Sequence, residues 1–408
     1  MAHAQTQHTE PVAAKRAATA PAALAPRFAP ASTTPPGFIE RLLEPTGVRI
    51  NGNRPWDIQV RDQSVYKRTL RDGSLGLGEA YMAGAWDSEQ LDETFTRLLR
   101  QDLDDALDHA AKLHFALHWL KERIINRQSR GRAFTVGERH YDIGNDVYQA
   151  MLDQTMSYSC GYWADADGLD AAQLAKLALI CRKLELAPGQ RLLDIGCGWG
   201  GLAAYAAEHH GVEVVGITVS RNQAALAKER CKDLPVDIRL MDYRDVPKQV
   251  GGRFERLVSV GMFEHVGVRN YPAYFDVARQ MLADDGLFLL HTIGNTRTVA
   301  ITDAWTDTYI FPNGKIPSAQ EIARALEERF VVEDWHNFGP DYDPTLMAWW
   351  QRFDAAWPDL RANYDDVFYR MWKYYLHASA GFFRSRQGQV WQIVLSKRVR
   401  PGVYRSVR

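Results

Sequence analysis

The run Asp194-Ile195-Gly196-Cys197-Gly198-Trp199-Gly200-Gly201 gathers glycines where an apolar stretch, RLLDI (191–195), gives way to a helix-forming one, GGLAAYAAEHH (200–210). Glycine lets a ligand approach the main chain where a side chain would block it. A strand, a glycine turn and a helix N-terminus in that order make a corner suited to a nucleotide-bearing ligand. A dinucleotide site also calls for an acid at the end of the next strand, about 20 positions on. Here that strand, EVVGITV (213–219), runs into Thr218-Val219-Ser220, which counts against a nicotinamide dinucleotide. The four cysteines, at 160, 181, 197 and 231, form no Cys-x-x-Cys pair. Neither a disulfide framework nor a metal site is expected, and a reducing compartment suits them.

The elements that must hold this corner are legible from residue 191 onward. Strand RLLDIGC leads to helix GGLAAYAAEHH, and strand EVVGITV to helix RNQAALAKERCK. DIRLMDY, ERLVSVG, helix NYPAYFDVARQML and the apolar strand GLFLLHTIG follow. Near-continuous apolar strands alternating with helices predict an α/β fold with a mostly parallel sheet covered on both faces. Ligands in such sheets bind beyond the carboxyl ends of the strands, so chemistry-bearing residues should gather there.

The N-terminal part reads differently. Residues 1–36 are rich in Ala, Pro and Thr without a core-forming pattern, which predicts a flexible tail. From 37 to 130 a smaller N-terminal domain is expected. GVRINGNRPWDIQV (47–60) reads as a hairpin turning at Asn51-Gly52, and 91–120 carries apolar residues at helical spacing. The basic run KERIINRQSRGR reads as a solvated linker or a contact for anionic headgroups. Residues 131–408 then form the main domain. A net charge of -1 gives no reason to expect a nucleic-acid partner. No apolar run approaches the roughly 20 residues that span a bilayer.

Beyond these patterns, LLDIGCGWGG (192–201) resembles the first motif of class I S-adenosylmethionine-dependent methyltransferases, a Rossmann-like fold. A longer series resembles the cyclopropane-fatty-acyl-phospholipid synthases: HYDIGNDVY (140–148), SYSCGYW (157–163), GITVSRNQ (216–223), SVGMFEHVG (259–267), LLHTIG (289–294), IFPNGKIPS (310–318), EDWHNFGPDYDPTLMAWW (333–350) and YYLHASAGFFR (374–384). NGNRPWDIQV and GSLGLGEAYMAG (73–84) resemble the N-terminal domain of the longer bacterial enzymes.

The resemblance implies a methylene transfer from S-adenosylmethionine to the cis double bond of a phospholipid acyl chain. Tyr158 and Ser159 would contact the cofactor with Asp194, Gly196, Cys197, Gly198, Trp199 and Gly200. Thr218 and Gln223 would bind its ribose, and Tyr243 with Arg244 would lie against its adenine. A bound bicarbonate would act as base at Cys160, Glu264, His291, Ile293 and Tyr342. Cys, His and Tyr side chains and a backbone amide can donate hydrogen bonds to a small anion, and Glu264 could hold its hydroxyl or orient His291. By themselves these residues read as a core histidine, a helix-start pair and a loop anchor, and only their joint placement after successive strands, with the resemblance, favours a site. The site must also favour a carbocation without trapping it, which suits aromatic faces.

Some relatives carry a cysteine in the last motif where this chain has Ser379, so Ser379 is expected to be structural and no covalent cysteine intermediate is expected. LMAWWQRFDAAW (346–357) reads as core packing or as a wall of the lipid tunnel. The resemblance implies a homodimer, and a lipid substrate together with the missing transmembrane segment predicts reversible, peripheral attachment at the cytoplasmic face of the membrane. Two competing classes are a methyltransferase for a soluble N, O or S nucleophile and an inactive lipid-binding protein. The sequence lacks an Asn-Pro-Pro-Tyr motif that would favour the first.

Overall fold

Residues 192–195 alternate in direction, and each set of side chains meets its own layer of helices. In the computed structural model, which describes residues 35–101, 144–299 and 302–408, strand β1 (Arg191–Ile195) sends Leu193 and Ile195 to one core and Leu192 to another. This two-residue period is what a strand buried on both faces requires. The other strands are β2 (Glu213–Thr218), β3 (Val236–Leu240), β4 (Phe254–Val260), β5 (Leu282–Asn295), β6 (Val331–Asn337) and β7 (Gly388–Ser396). They form one sheet in the order β3-β2-β1-β4-β5-β7-β6. Neighbours from β3 to β5 are parallel, and β7 runs antiparallel to both β5 and β6. The expected mostly parallel α/β sheet is thereby observed. The chain winds from β1 out to β3, then returns to place β4 on the other side of β1. That reversal opens a crevice between the carboxyl ends of β1 and β4.

The helices used below are, in chain order, α1 (Ser74–Met82), α2 (Leu91–Arg100), α3 (Asn145–Met151), α4 (Leu169–Lys183), α5 (Gly201–His210), α6 (Arg221–Arg230), α7 (Tyr271–Met281), α8 (Ala304–Tyr309), α9 (Ala319–Leu326), α10 (Tyr342–Leu360) and α11 (Asp366–Arg384). Leu177 and Ile180 of α4 and Ala203 and Ala206 of α5 cover one face of the sheet. Tyr274, Phe275 and Ala278 of α7 and Ile322 of α9 cover the other.

Residues 48–95 share a third, aromatic-rich cluster with α10 and α11. Two arginines of α11 fasten the contact. Arg370 donates to Tyr81 O at 2.6 Å and to Asp87 at 3.0 Å. Arg384 donates to Asp92 at 2.7 Å while it also holds Asp343 at 2.7 and 2.8 Å.

One local expectation fails. Asn51 has a left-handed φ of 51°, yet 47–60 is not a two-residue hairpin. The Asp57 carboxylate gathers the segment instead, accepting from the Arg49 amide at 2.8 Å and the Arg54 amide at 3.0 Å. Strand Gln59–Val60 then pairs with Trp86–Asp87. A buried acid satisfying two main-chain donors and an arginine outweighs the turn preference of Asn-Gly. The expected helix over 91–120 is described only as α2, and its remainder, the basic run and the tail at 1–34 lie outside the described residues.

Candidate active site

The glycine turn after β1 is shaped by what lies against it. Gly196 has φ 90°, and a Cβ there would stand 2.8 Å from Met262. A Cβ on Gly201 would stand 2.2 Å from the Thr155 carbonyl oxygen, so segment 155–160 can run directly over the start of α5. Asp194 closes β1 opposite Gly216 and Val258. It is 2 % exposed, and its Oδ2 has no hydrogen-bond partner. Burial pushes its carboxyl up to about 7, a rise that Lys176 opposes. Cys197, Gly198 and Trp199 continue the cavity wall. Gly200 sits behind it, facing Ala227 and Cys231. Trp199 donates its indole N–H to Asn145 at 3.3 Å.

The ends of β2 and β3 supply the next wall. The Thr218 hydroxyl donates to Gln223 Oε1 at 2.8 Å, so two buried residues expected at a ribose are already oriented toward each other. Ser220 caps α6 by accepting from the Gln223 amide at 3.3 Å. Arg244 is gripped by Asp242 at 2.7 and 2.8 Å, and its guanidinium stands 5.1 Å from the Tyr243 ring centre. Tyr243 lies in the core against Tyr274, with its hydroxyl unpartnered. Asp242 lines the cavity too. Sequence reasoning sought an acid after the second strand and missed this one after the third.

A second group gathers where β4 and β5 end. Glu264, in the turn after β4, is buried and accepts the Ile293 amide on Oε1 at 2.6 Å. Its Oε2 has no partner. Burial raises its carboxyl to about 7, with the Ile293 amide pulling the other way. His291 is 2 % exposed. Its Nδ1 lies 3.3 Å from Gln392 Nε2 of β7, and its ring meets Phe338 edge-on at 5.6 Å. Burial, with Lys176 and Lys183 nearby, drives its pKa well below the usual imidazole value, so it is neutral. The Glu264 carboxylate accepts from the Ile293 amide and not from His291, so the expected orientation of His291 by Glu264 is not observed. Tyr342 reaches the same cavity from α10, packed 4.6 Å from Phe383.

Cys160 is fully buried and is not among the lining residues. Its thiol donates to Gly161 O at 3.2 Å. Burial, reinforced by Asp341, raises its pKa, which disfavours a thiolate nucleophile.

Segment 157–160 is held by α4. Gln173 donates to Ser159 O at 2.9 Å and Lys176 donates to Ser159 Oγ at 3.0 Å. These two residues are spaced i,i+3 and so share a helix face. Tyr158 then presents its ring to Tyr148 and Trp349 at 5.2 Å each and shares a 2.8 Å hydrogen bond with the Tyr375 hydroxyl.

All these walls enclose one cavity of about 740 Å³. Its lining joins the glycine turn, Glu264, His265, His291 and Tyr342 to an apolar arm. The arm is walled by Leu77, Phe95, Leu98 and Leu99 from the N-terminal helices and by Tyr374, Ala378, Ser379, Phe382 and Phe383 of α11. Of the segment 346–357, only Leu346 lines it. Trp349 and Phe353 are fully buried core, so packing dominates there. The N-terminal contribution carried no signal in the sequence, since its apolar residues look like any helix face. Among the described residues no group of His, Cys, Asp and Glu could hold a metal.

Residues 128–393 match the mycolic acid cyclopropane synthetase family. The chain is 53% identical over 368 residues to the cyclopropane-fatty-acyl-phospholipid synthase of Escherichia coli (strain K12), covering 90% of this chain and 94% of the relative. Two solved structures are similar. The cyclopropane synthase MmaA2 from Mycobacterium tuberculosis has a TM-score of 0.60 and 30% identity over 65% of this chain and 98% of that one. Mycolic acid cyclopropane synthase CmaA1, complexed with SAH and CTAB, has a TM-score of 0.59 and 33% identity over the same shares. With the sheet order and the glycine turn, these matches establish an enzyme with the S-adenosylmethionine-dependent methyltransferase fold, and the chain belongs to the cyclopropane-fatty-acyl-phospholipid synthase family.

Proposed function

We propose that this enzyme transfers a methylene group from S-adenosylmethionine to the cis double bond of an unsaturated phospholipid acyl chain. The observation that carries the reading is a single cavity whose lining joins the glycine turn, Glu264 and His291 to aromatic and aliphatic residues of the N-terminal helices and α11. A soluble nucleophile would have no use for the arm.

S-adenosylmethionine supplies an electrophilic methyl group, and bicarbonate supplies a base. Held at the Asp194–Gly201 turn, S-adenosylmethionine would give its methyl carbon to the alkene with loss of S-adenosylhomocysteine. The proton then lost from that carbon as the ring closes would pass to a base held beside Glu264 and His291. Holding the alkene in line with the methyl group accounts for much of the rate, and the rings of Tyr158, Tyr342 and Phe383 offer faces toward positive charge.

The residues at the junction fit a small anion. With its carboxyl raised to about 7, Glu264 is protonated in part of the population near neutral pH, so its unpartnered Oε2 can donate a hydrogen bond. Neutral His291 can offer one N–H without forming a competing ion pair. The Ile293 amide acts by fixing Glu264 and is committed to it.

No described helix is long and apolar enough to cross a membrane. We read the chain as meeting the inner face of the bilayer peripherally, as a homodimer. Co-sedimentation with anionic vesicles and light scattering test these two points. For the reaction, vesicles of mono-unsaturated phospholipid are incubated with enzyme and S-adenosylmethionine and analysed by mass spectrometry. Gain of one CH2 with loss of the double bond supports the reading. A methylated chain that keeps its double bond, or no lipid change, overturns it.

A further inference from the structure

Lys176 is a lysine where the fold has little reason to put one. It stands on the sheet-facing side of α4 beside Leu177 and Ile180, is 2 % exposed, and lines the cavity at the glycine turn. Its one side-chain partner among the described residues is Ser159 Oγ, which leaves donor capacity on a group that has three donors. The nearby Asp153 carboxylate is already occupied by the Ser157 and Thr155 amides. Asp194 lines the same end of the cavity with a buried, unpartnered Oδ2. Two buried groups of opposite sign thus face one cavity without saturating each other. Leaving them so is costly unless a ligand completes both.

A ligand that carries a carboxylate and an ammonium on one carbon does this. We propose that Lys176 holds the α-carboxylate of S-adenosylmethionine, with Asp194 on the side of its α-ammonium, so that the pair is a receptor for the amino-acid end of the cofactor. This rests on the reading of the cavity as an S-adenosylmethionine site. The Ser159 hydroxyl fixes the direction of the Lys176 ammonium, which links the Tyr158-Ser159 motif to cofactor binding through α4. Lys176 is then a binding residue, and the sulfonium end is positioned through it.

The test uses ligands that differ only at the proposed contact. Binding of S-adenosylhomocysteine and of 5′-methylthioadenosine, which lacks the amino-acid end, is measured for the wild-type enzyme, Lys176→Met and Lys176→Arg. Removing one partner of a buried charge pair weakens binding about 30-fold or more. Lys176→Met is expected to lose that factor for S-adenosylhomocysteine and to keep its 5′-methylthioadenosine affinity within about two-fold, with Lys176→Arg recovering part of the loss. Equal losses for both ligands, or no loss for either, overturn the proposal in favour of a purely structural lysine. If Lys176→Met does not fold, wild-type enzyme is titrated with decarboxylated S-adenosylmethionine. Binding as tight as that of the intact cofactor then overturns the proposal. Wild-type protein that binds neither adenosyl ligand would instead sink the cofactor reading itself.

Discussion

The Glu264 carboxylate accepts the Ile293 amide at 2.6 Å across the gap between the ends of β4 and β5, while its other oxygen stays buried and unpartnered. One oxygen anchors the side chain and the other is left for the cavity. The anchor explains how an acid is kept in place in an apolar setting, and burial explains why it is reluctant to ionise.

Glu264→Gln separates these two roles. The carboxyl moves from an ordinary value of 4.5 to about 7 on folding. Between those values the folded chain holds a proton that the unfolded chain has released. Its stabilising contribution is therefore full below about pH 4.5 and lost as pH rises through about 7. Glutamine is neutral throughout and can still accept the Ile293 amide. The variant should be the more stable protein near pH 8, by on the order of 3 kcal/mol, and should converge with wild type in acid. Its turnover should fall by about 100-fold or more. Denaturant melts across this range check the first point, and vesicle assays the second.

Gly201→Ala asks the start of α5 to accept a Cβ 2.2 Å from the Thr155 carbonyl. Backbone must move, at a cost of about 1–3 kcal/mol. The movement separates segment 155–160 from the glycine turn. S-adenosylhomocysteine affinity should drop about 10-fold, read by calorimetry, because each 1.4 kcal/mol is a tenfold change. Unchanged affinity would mean that the two segments need not touch to bind it.

Leu98 brings the N-terminal part into the apolar arm. Leu98→Trp should narrow the arm and lower kcat/KM for phospholipid by about 10-fold, at about 1.4 kcal/mol per decade. S-adenosylhomocysteine binding should be untouched, since Leu98 sits on α2 and not on the elements that form the glycine turn. Equal kcat/KM for long- and short-chain lipids in both proteins would remove Leu98 from the wall.

Arg384 ties α2 to α10 through Asp92 and Asp343. Its side chain is 28% exposed, so solvent screening limits what the network contributes. Arg384→Met should cost about 1–2 kcal/mol and speed proteolytic cleavage within residues 35–101 more than elsewhere. A uniform rise in cleavage would show that the bridge supports the whole fold and not this junction.

The strands and their crossover helices are written locally. RLLDI, EVVGIT and GLFLLHTIG are mostly apolar because both faces of β1, β2 and β5 are covered, and the glycine turn must follow β1 because only glycine tolerates the approach of Met262 and Thr155. The sequence alone therefore determined the fold class, the place of the nucleotide-binding corner and the family. It could not determine the relationships that make a site. Glu264 and Ile293 are 29 positions apart and meet only because β4 and β5 pair in parallel. Lys176 meets Ser159 because α4 turns its i,i+3 face inward. Leu98 reaches the apolar arm because two arginines on α11 hold the N-terminal helices down. Asn51-Gly52 looked like a hairpin because turn preference is local, and Asp57 overrode it with hydrogen bonds to two amides and the Arg54 guanidinium. Local pattern reports how each segment buries its own surface, but which distant polar groups share a cavity is decided by packing.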